Sequence, residues 1–295
     1  MPHPRARVTL AALVAPVALV TVLATALAGC SGSPAPKASS SASPGSASAS
    51  SSPSASAPSL AAIPAAPKPE ACYALTLKQL AQPTNDSPAA SCSSDHDVQT
   101  FYVGTLDTTV DGHNLAIDSP RVQRQLEQTC PRQLGRYLGG SSQTLDLSRF
   151  HTVWFSPTLE QSEQGASWFR CDLIAFSHAD KLATLPPPKK LKGALASSSA
   201  LDRFGLCGTA APGARGFSRV ICAEKHSWKA ISTIGLAGGR RYPGVAHVRD
   251  AGDSACKQQA QARSGNSLKY QYGWEWPTGR QWAGGQHYGF CWVPS

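Results

Sequence analysis

The stretch WEWPTGRQWAGGQHYGFC, residues 274–291, decides the fold, because its framework also occurs earlier as WFSPTLEQSEQGASWFRC, residues 154–171. Laid over each other without a gap, the two stretches share a Trp, a Pro, a Thr, a Gln, a Gly and the final Cys. Pro and Gly restrict backbone dihedral angles, while Trp and Cys anchor small cores. The shared positions are therefore mostly structural, and they indicate a duplicated module.

The amino terminus has the pattern of an export signal. An uncharged apolar run, residues 8–29, follows two arginines and ends in Leu-Ala-Gly before Cys30. This pattern is typical of a signal peptide over residues 1–29. Its end resembles a bacterial lipobox, in which Cys30 is lipidated and becomes the first mature residue. The alternative is an uncleaved transmembrane anchor, since about twenty apolar residues can span a bilayer. Both interpretations predict a protein on the outer face of the cell membrane.

Residues 30–69 consist almost wholly of Ser, Ala and Pro. Such a segment has too little apolar surface to offset its ordering entropy, so we predict a disordered tether. The net charge is +9, or +7 after subtraction of Arg5 and Arg7 with the signal peptide. A basic domain of this kind suits anionic lipid headgroups or acidic wall polymer. Scattered, solvated charges are the simpler interpretation, and no aromatic-interleaved basic stripe predicts nucleic acid as a partner.

Nine cysteines divide into Cys30 and eight others, and an even remainder predicts disulfides in an exported chain. Eight thiols allow 105 pairings, but duplicated modules should each close their own four in the same pattern. In each module the first two Cys are near each other in sequence and far from the last two. The predicted bridges are therefore Cys72–Cys92, Cys130–Cys171, Cys207–Cys222 and Cys256–Cys291.

One helix is predicted in each module, and each helix carries the third Cys of its module. Ser119 and Pro120 are a typical helix start, with Ser as N-cap and Pro at the first helical position. Pro131 should kink or restart this helix, and the counterpart helix should open near Asp250 or Asp253. Spacing by four predicts the buried face of the first helix, which consists of Val122, Leu126, Cys130 and Leu134.

Strands are predicted around each helix, at residues 98–103, 150–155, 168–175, 228–234 and 268–274. Runs of strands around one helix favour an α+β fold, with the helix packed on a small antiparallel sheet. We therefore predict two tandem, disulfide-stabilised repeats, at residues 70–180 and 201–295. Residues 181–200 are rich in Pro, Lys and Ser, and they are predicted to be an exposed linker.

The chain resembles the septum formation family of actinobacterial lipoproteins and membrane proteins. The resemblance is carried by Cys-x3-His before a strand, a Cys-bearing helix and a Trp-x-x-Pro segment leading to Cys, all doubled behind a lipobox. It covers roughly residues 71–292. It implies an exported, non-catalytic domain, and the family name links it to division septa. No cofactor is predicted.

His96 and His226, each four residues after a Cys, are the first candidate site residues. A metal site is the bolder interpretation, but secretion favours oxidised cysteines and no CxxC pair exists. The simpler interpretation is a hydrogen-bonding role where a strand begins. Gly-x-Ser-x-Gly, HExxH and P-loop motifs are absent from the sequence, so neither a catalytic site nor a metal site is expected.

Trp276, Trp282 and His287 are the second candidate site. An exposed Trp on a wall-facing domain can stack on sugar rings, and the first copy has Ser in place of both tryptophans. Core packing is the alternative. The favoured function is a binding or scaffolding lipoprotein whose partners are wall polymer or division proteins of the envelope. A receptor for wall glycan or peptide would require these tryptophans to be exposed around a pocket, and an exported hydrolase would require a nucleophile and a base within hydrogen-bond reach.

Overall fold

The structure is a computed structural model that describes residues 62–265 and 267–295, all of which belong to one compact unit. The predicted signal peptide, Cys30 and most of the predicted tether lie outside the described residues. The Ile63 side chain lies beside Gly165, and the N–H of Glu70, the first residue after the predicted tether, donates to Thr100 O at 3.0 Å.

The described residues form eleven strands, eight α-helices and one 3-10 turn. The strands are β1 (Cys72–Tyr73), β2 (Val98–Thr105), β3 (Thr109–Val110), β4 (His113–Asn114), β5 (Phe150–Phe155), β6 (Trp168–Ala175), β7 (Leu206–Gly208), β8 (Arg219–Ile221), β9 (Trp228–Gly235), β10 (Gly273–Glu275) and β11 (Tyr288–Pro294). The α-helices are α1 (Leu77–Leu80), α2 (Pro120–Leu138), α3 (Ser142–Asp146), α4 (Leu159–Glu163), α5 (Pro188–Leu191), α6 (Ser199–Phe204), α7 (Val245–Arg263) and α8 (Gly279–Ala283). A 3-10 turn spans Ala194–Ala196.

The strands form two antiparallel sheets and a small hairpin of β3 with β4. The first sheet has the order β1-β2-β6-β5, and the second has the order β10-β11-β9-β7-β8. In each sheet the strand that carries the last Cys lies between its neighbours, β6 between β2 and β5 and β11 between β9 and β10. This architecture agrees with the predicted mixture of helices and antiparallel sheets, although each sheet is accompanied by several short helices as well as one long helix.

Each long helix is joined to its sheet by a disulfide. The Cα atoms of Cys130 on α2 and Cys171 on β6 are 5.4 Å apart, and those of Cys256 on α7 and Cys291 on β11 are 5.2 Å apart. All four of these cysteines are fully buried. The four disulfides join the predicted pairs, Cys72–Cys92, Cys130–Cys171, Cys207–Cys222 and Cys256–Cys291.

The start of α2 follows the prediction, whereas a restart at Pro131 and the predicted start of the second long helix are wrong. Ser119 is the N-cap, and its hydroxyl accepts from the Val122 N–H at 3.4 Å. The helix does not restart at Pro131, because it continues to Leu138 and the packed face on either side of the proline holds it. The second long helix begins at Val245, earlier than predicted, since the fully buried Val248 anchors a first turn that precedes the aspartates.

The two sheets differ in how far their outer strand is paired. β5 pairs with β6 along its whole length, whereas β10 pairs with β11 only from Gly273 to Glu275. The predicted strand at residues 268–274 is therefore wrong for most of its length. Tyr272 explains the difference in part, because its hydroxyl lies 3.2 Å from both carboxylate oxygens of Asp253 on α7. This contact holds the segment before β10 against the helix.

The segment predicted to be an exposed linker contributes to the core. Leu185, Leu191 and Leu195 are at most 3% exposed, and they belong to one cluster with Phe150 of the first sheet and Phe204 on α6. The lysines around Leu191 are exposed, which explains why the local composition resembles a linker. The prediction of an exposed linker is therefore wrong for these leucines.

Candidate functional site

The two Cys-x3-His histidines make the same local hydrogen bond. His96 Nδ1 lies 2.8 Å from Ser94 O, and His226 Nδ1 lies 2.7 Å from Glu224 O. A carbonyl oxygen only accepts, so Nδ1 carries a proton in both rings and closes the turn before β2 and β9. His96 is 3% exposed, and its buried Nε2 has no hydrogen-bond partner in the described residues. The geometry matches the structural role predicted where each strand begins.

The cysteines of these motifs are not free thiols. Cys92 is bonded to Cys72 and Cys222 to Cys207, so their sulfur atoms are not thiolate ligands. Within residues 62–265 and 267–295 no group of three or more His, Cys, Asp or Glu side chains is placed to hold a metal ion. The Cys-x3-His motif therefore acts here as a disulfide beside a hydrogen-bonded turn.

Trp282 is a core residue, and its prediction as a binding residue is wrong. Its side chain is 1% exposed, its Nε1 donates to Gly239 O at 3.0 Å, and its ring stacks on His287 with centroids 4.2 Å apart. The ring of Tyr242 contacts the ring of Trp282 edge-on, with centroids 5.9 Å apart. A ring enclosed in this way has no face available for a sugar.

Trp276 and His287 are partly buried beside the same cluster. Trp276 packs against the core that contains Trp282, and His287 Nε2 lies 3.2 Å from Trp282 O. The three predicted residues are thus brought together, but by packing around Trp282. The exposed tryptophan pocket required by the receptor hypothesis is not formed by these residues.

A buried ion pair lies on β6. Arg170 Nε is 3.1 Å from Asp172 Oδ2, with side-chain exposures of 2% and 0%. The two atoms do not form a hydrogen bond, so the contact is ionic. The guanidinium carbon of Arg170 lies over the rings of Tyr73 and Phe155, at 4.0 and 4.7 Å from their centroids. These two cation–π contacts partly compensate the buried positive charge.

The pKa of the Asp172 carboxyl group in this pair is raised. Its Oδ1 accepts from the Thr100 hydroxyl at 2.7 Å. Burial raises the pKa of Asp172 to about 6, against the opposing effects of Arg170 and Thr100. Both charged side chains are buried, so the pair has a structural role in the first sheet and is not accessible to a substrate.

The second sheet has a related ion pair at a more accessible place. Arg219 on β8 donates from Nη2 and Nε to Glu275 Oε1 at 2.8 and 3.1 Å, and Trp292 Nε1 donates to Glu275 Oε2 at 3.0 Å. Glu275 on β10 is thereby held by the edge strand β8 and by the neighbouring strand β11. These contacts satisfy the carboxylate and join three strands of the sheet.

Arg149 and His151 form a basic, poorly solvated group near Arg219. Arg149 donates to Phe176 O at 3.0 Å and to His178 O at 3.2 Å, and burial lowers its pKa to about 10. Burial, with the positive charges of Arg149 and Arg219, lowers the pKa of His151 to about 4. The imidazole of His151 is therefore neutral at pH 7.

A surface cleft of about 660 Å³ lies between the end of α7 and the end of β11. Its lining includes Arg263, Lys269, Tyr270, Gln271, Val293 and Pro294. The sequence offered no signal for it, because the cleft depends on where the pairing of β10 with β11 stops.

In the part of the chain that the structure describes, no helix has the length and apolar character needed to cross a membrane.

Two antiparallel sheets, their helices and four disulfides define an α+β protein. A family model described as Septum formation matches residues 71–291, and the chain belongs to that family. The match confirms the resemblance inferred from the Cys and Trp framework. Searches of curated proteins and of solved structures found no match.

Proposed function

We propose that the protein is a lipid-anchored binding or scaffolding protein on the outer face of the cell membrane, and that it acts in septum formation without catalysing a reaction. The observation that carries this proposal is the family match over residues 71–291. The four disulfides support a place outside the cytoplasm, because disulfides form and persist in oxidising compartments.

Cys30 is the proposed attachment point, since it follows Leu-Ala-Gly at the end of an apolar run. The folded unit is held from Ile63 onwards, where the chain passes beside Gly165. The disordered tether that the sequence predicts between these two points would span roughly 30 Å on average. Such a tether would hold the two sheets clear of the lipid headgroups and within reach of wall polymer or division proteins.

The two sheets are, in this proposal, two copies of one binding module. Strand orders β5-β6-β2-β1 and β10-β11-β9-β7 correspond, and the disulfides from α2 to β6 and from α7 to β11 correspond as well. Thr158 and Thr278 cap α4 and α8 with the same reciprocal hydrogen bonds to a Gln three residues later. Two related modules on one tether suit a scaffold that contacts two partners or two sites on a polymer.

Depletion of the protein in the cells that produce it tests the proposal. We expect fewer septa per unit of cell length, and restoration of normal spacing by the wild-type gene. A Cys30→Ser variant should be released from the membrane and should fail to restore septation. Normal septation after complete depletion would contradict a role in septum formation, and full rescue by a released Cys30→Ser protein would contradict the need for the anchor.

A further inference from the structure

The cleft at the end of β11 exists because the second sheet is left open at a place where the first is closed. In the first sheet Phe150 pairs with Ala175 and Thr152 with Leu173. The corresponding residues of the second module, 270–272, do not pair with β11. Val293 and Pro294 therefore have no strand partner on the β10 side of β11. The space between the two segments and α7 is the cleft of about 660 Å³. That volume lies within the range of roughly 300–1,000 Å³ that ligand sites occupy.

The backbone along this opening is poorly suited to binding a peptide as an added strand. The Ser295 N–H donates to Ser227 O, on the β9 side, at 3.1 Å. Successive residues of a strand direct their hydrogen-bonding groups to opposite sides, so those of Pro294 face the cleft. Proline has no N–H, and strand addition depends on main-chain donors and acceptors. A ligand in the cleft must therefore be held mainly by side chains.

Two cations line the cleft without a carboxylate partner among the described residues. The side chains of Arg263 and Lys269 are exposed, and neither takes part in an ion pair with a described residue. Arg263 lies in the last turn of α7, where the helix dipole favours a positive charge. Lys269 lies beyond the helix, and the dipole does not account for it. Guanidinium and ammonium groups are suited to carboxylate and phosphate.

An aromatic ring and an amide lie beside these cations. Tyr270 is partly buried and contacts the ring of Tyr272, with centroids 6.4 Å apart, which restricts its orientation. Gln271 is exposed next to it. Tyrosine combines an apolar ring face with a polar hydroxyl group, which suits the apolar face and the hydroxyl groups of a sugar. Charge and aromatic surface together favour a charged carbohydrate over a simple anion.

We propose that this cleft binds an anionic carbohydrate polymer, with Arg263 and Lys269 contacting its carboxylate or phosphate groups and Tyr270 contacting a sugar ring. The inference deepens the proposed function and rests on its extracytoplasmic placement, where such polymers are encountered. It assigns a ligand class to a surface that is distinct from the buried cluster around Trp282.

The test is binding of the full-length chain, purified in detergent, to four labelled polymers. Polygalacturonate supplies sugars with carboxylates, phosphomannan supplies sugars with phosphates, dextran is neutral and long-chain polyphosphate has no sugar. We expect one or both anionic glycans to bind more tightly than dextran and polyphosphate. The double variant Arg263→Gln/Lys269→Gln and the variant Tyr270→Ala should each weaken that binding by about tenfold. The preferred glycan then distinguishes a carboxylate ligand from a phosphate ligand.

A matched control is the double variant Lys189→Gln/Lys190→Gln, which removes the same charge from exposed positions on α5. It should leave the affinity unchanged, and thermal unfolding should show that all variants remain folded. An equal loss in the control would overturn the proposal, because binding would then depend on net charge alone. Polyphosphate binding as tight as glycan binding, no effect of Tyr270→Ala, or no binding to either anionic glycan would also overturn it.

This experiment is independent of the test in cells. Loss of septation on depletion together with absent glycan binding would reject the cleft while leaving the proposed function standing. Glycan binding that depends on Arg263 and Lys269, with normal septation on depletion, would retain the cleft and reject the role at the septum.

Discussion

The guanidinium of Arg170 lies 3.1 Å from the carboxylate of Asp172 two residues along β6, and both side chains are inaccessible to solvent. Side chains at i and i+2 lie on the same face of a strand, so the sequence order places the two charges together. Removing one member of a buried pair leaves the other charge without compensation. The pair is therefore a sensitive point in the first sheet.

Replacement of Arg170 by Met should destabilise the protein by about 3–5 kcal/mol, because Asp172 would remain buried without its partner. Met keeps much of the packing between Tyr73 and Phe155. The double variant Arg170→Met/Asp172→Leu should recover a large part of the loss, since a buried pair exchanged for apolar residues is often neutral. Urea unfolding measures both changes.

Arg249→Met is the matched control for Arg170→Met. Arg249 contacts Asp250 at 2.8 Å, but its side chain is 54% exposed. Water screens an exposed pair, so Arg249→Met should change the free energy of unfolding far less than Arg170→Met does. Equal losses in the two single variants would show that burial of Arg170 does not determine its effect.

Stability between pH 4 and 6.5 should reflect two opposing titrations. Burial raises the pKa of Asp172 from 3.8 to about 6, so the folded state binds more protons in that window and stability falls as pH rises. Burial and two arginines lower the pKa of His151 from 6.5 to about 4, so the unfolded state binds more protons and stability rises with pH.

Single variants should separate these two effects. His151→Gln removes the effect of His151 and keeps that of Asp172. The free energy of unfolding of this variant should therefore fall more steeply with rising pH than that of the wild type. Asp172→Asn should change the slope in the opposite direction, whatever its lower absolute stability. Urea unfolding at several pH values measures the slopes, and equal slopes in both variants would contradict the assigned directions.

Gly252 on α7 should not tolerate a methyl group. A Cβ atom at this position would overlap the indole ring of Trp274. Gly252→Ala should therefore destabilise the protein by about 1–3 kcal/mol through overpacking, although alanine favours helices. In contrast, a Cβ at Gly135 on α2 meets no atom within 4 Å, so Gly135→Ala should stabilise by about 0.5–1 kcal/mol. Stabilisation by both substitutions would contradict the close packing of α7 on Trp274.

The disulfides should differ in their contribution to stability according to the length of chain they close. Cys130–Cys171 spans 41 residues and Cys207–Cys222 spans 15. Pairwise replacement by Ala should cost about 4 kcal/mol for the first and about 3 kcal/mol for the second, through the entropy of the unfolded chain. Denaturant unfolding of the two double variants measures the difference. A larger loss for the shorter bridge would contradict this order.

The features that were predictable from the sequence are those encoded locally or by the duplication. Spacing by four placed Val122, Leu126 and Cys130 on the buried face of α2, and all three are fully buried. The repeated Cys pattern predicted the four disulfides. The predicted start of α7 is wrong, because the first turn of this helix depends on burial of Val248 and has no side-chain cap.

The environments that were not predictable depend on distant parts of the chain. Trp282 is buried because residues near Gly239, some 43 positions earlier, accept its hydrogen bond and cover its ring. Leu191 on α5 is flanked by exposed lysines, but its side chain belongs to a core cluster with Phe150 and Phe204. The cleft beside Tyr270 results from the pairing of β10 with β11, which begins only at Gly273. No local sequence pattern predicts where such a pairing ends.

The most direct test of the central claim is the position of the protein in intact, dividing cells. An epitope tag after Ser295, which is exposed, is detected with an antibody before and after permeabilisation. We expect labelling of intact cells, with the signal concentrated at division septa. Labelling only after permeabilisation would contradict a place on the outer face of the membrane, and a uniform surface signal would contradict action at the septum.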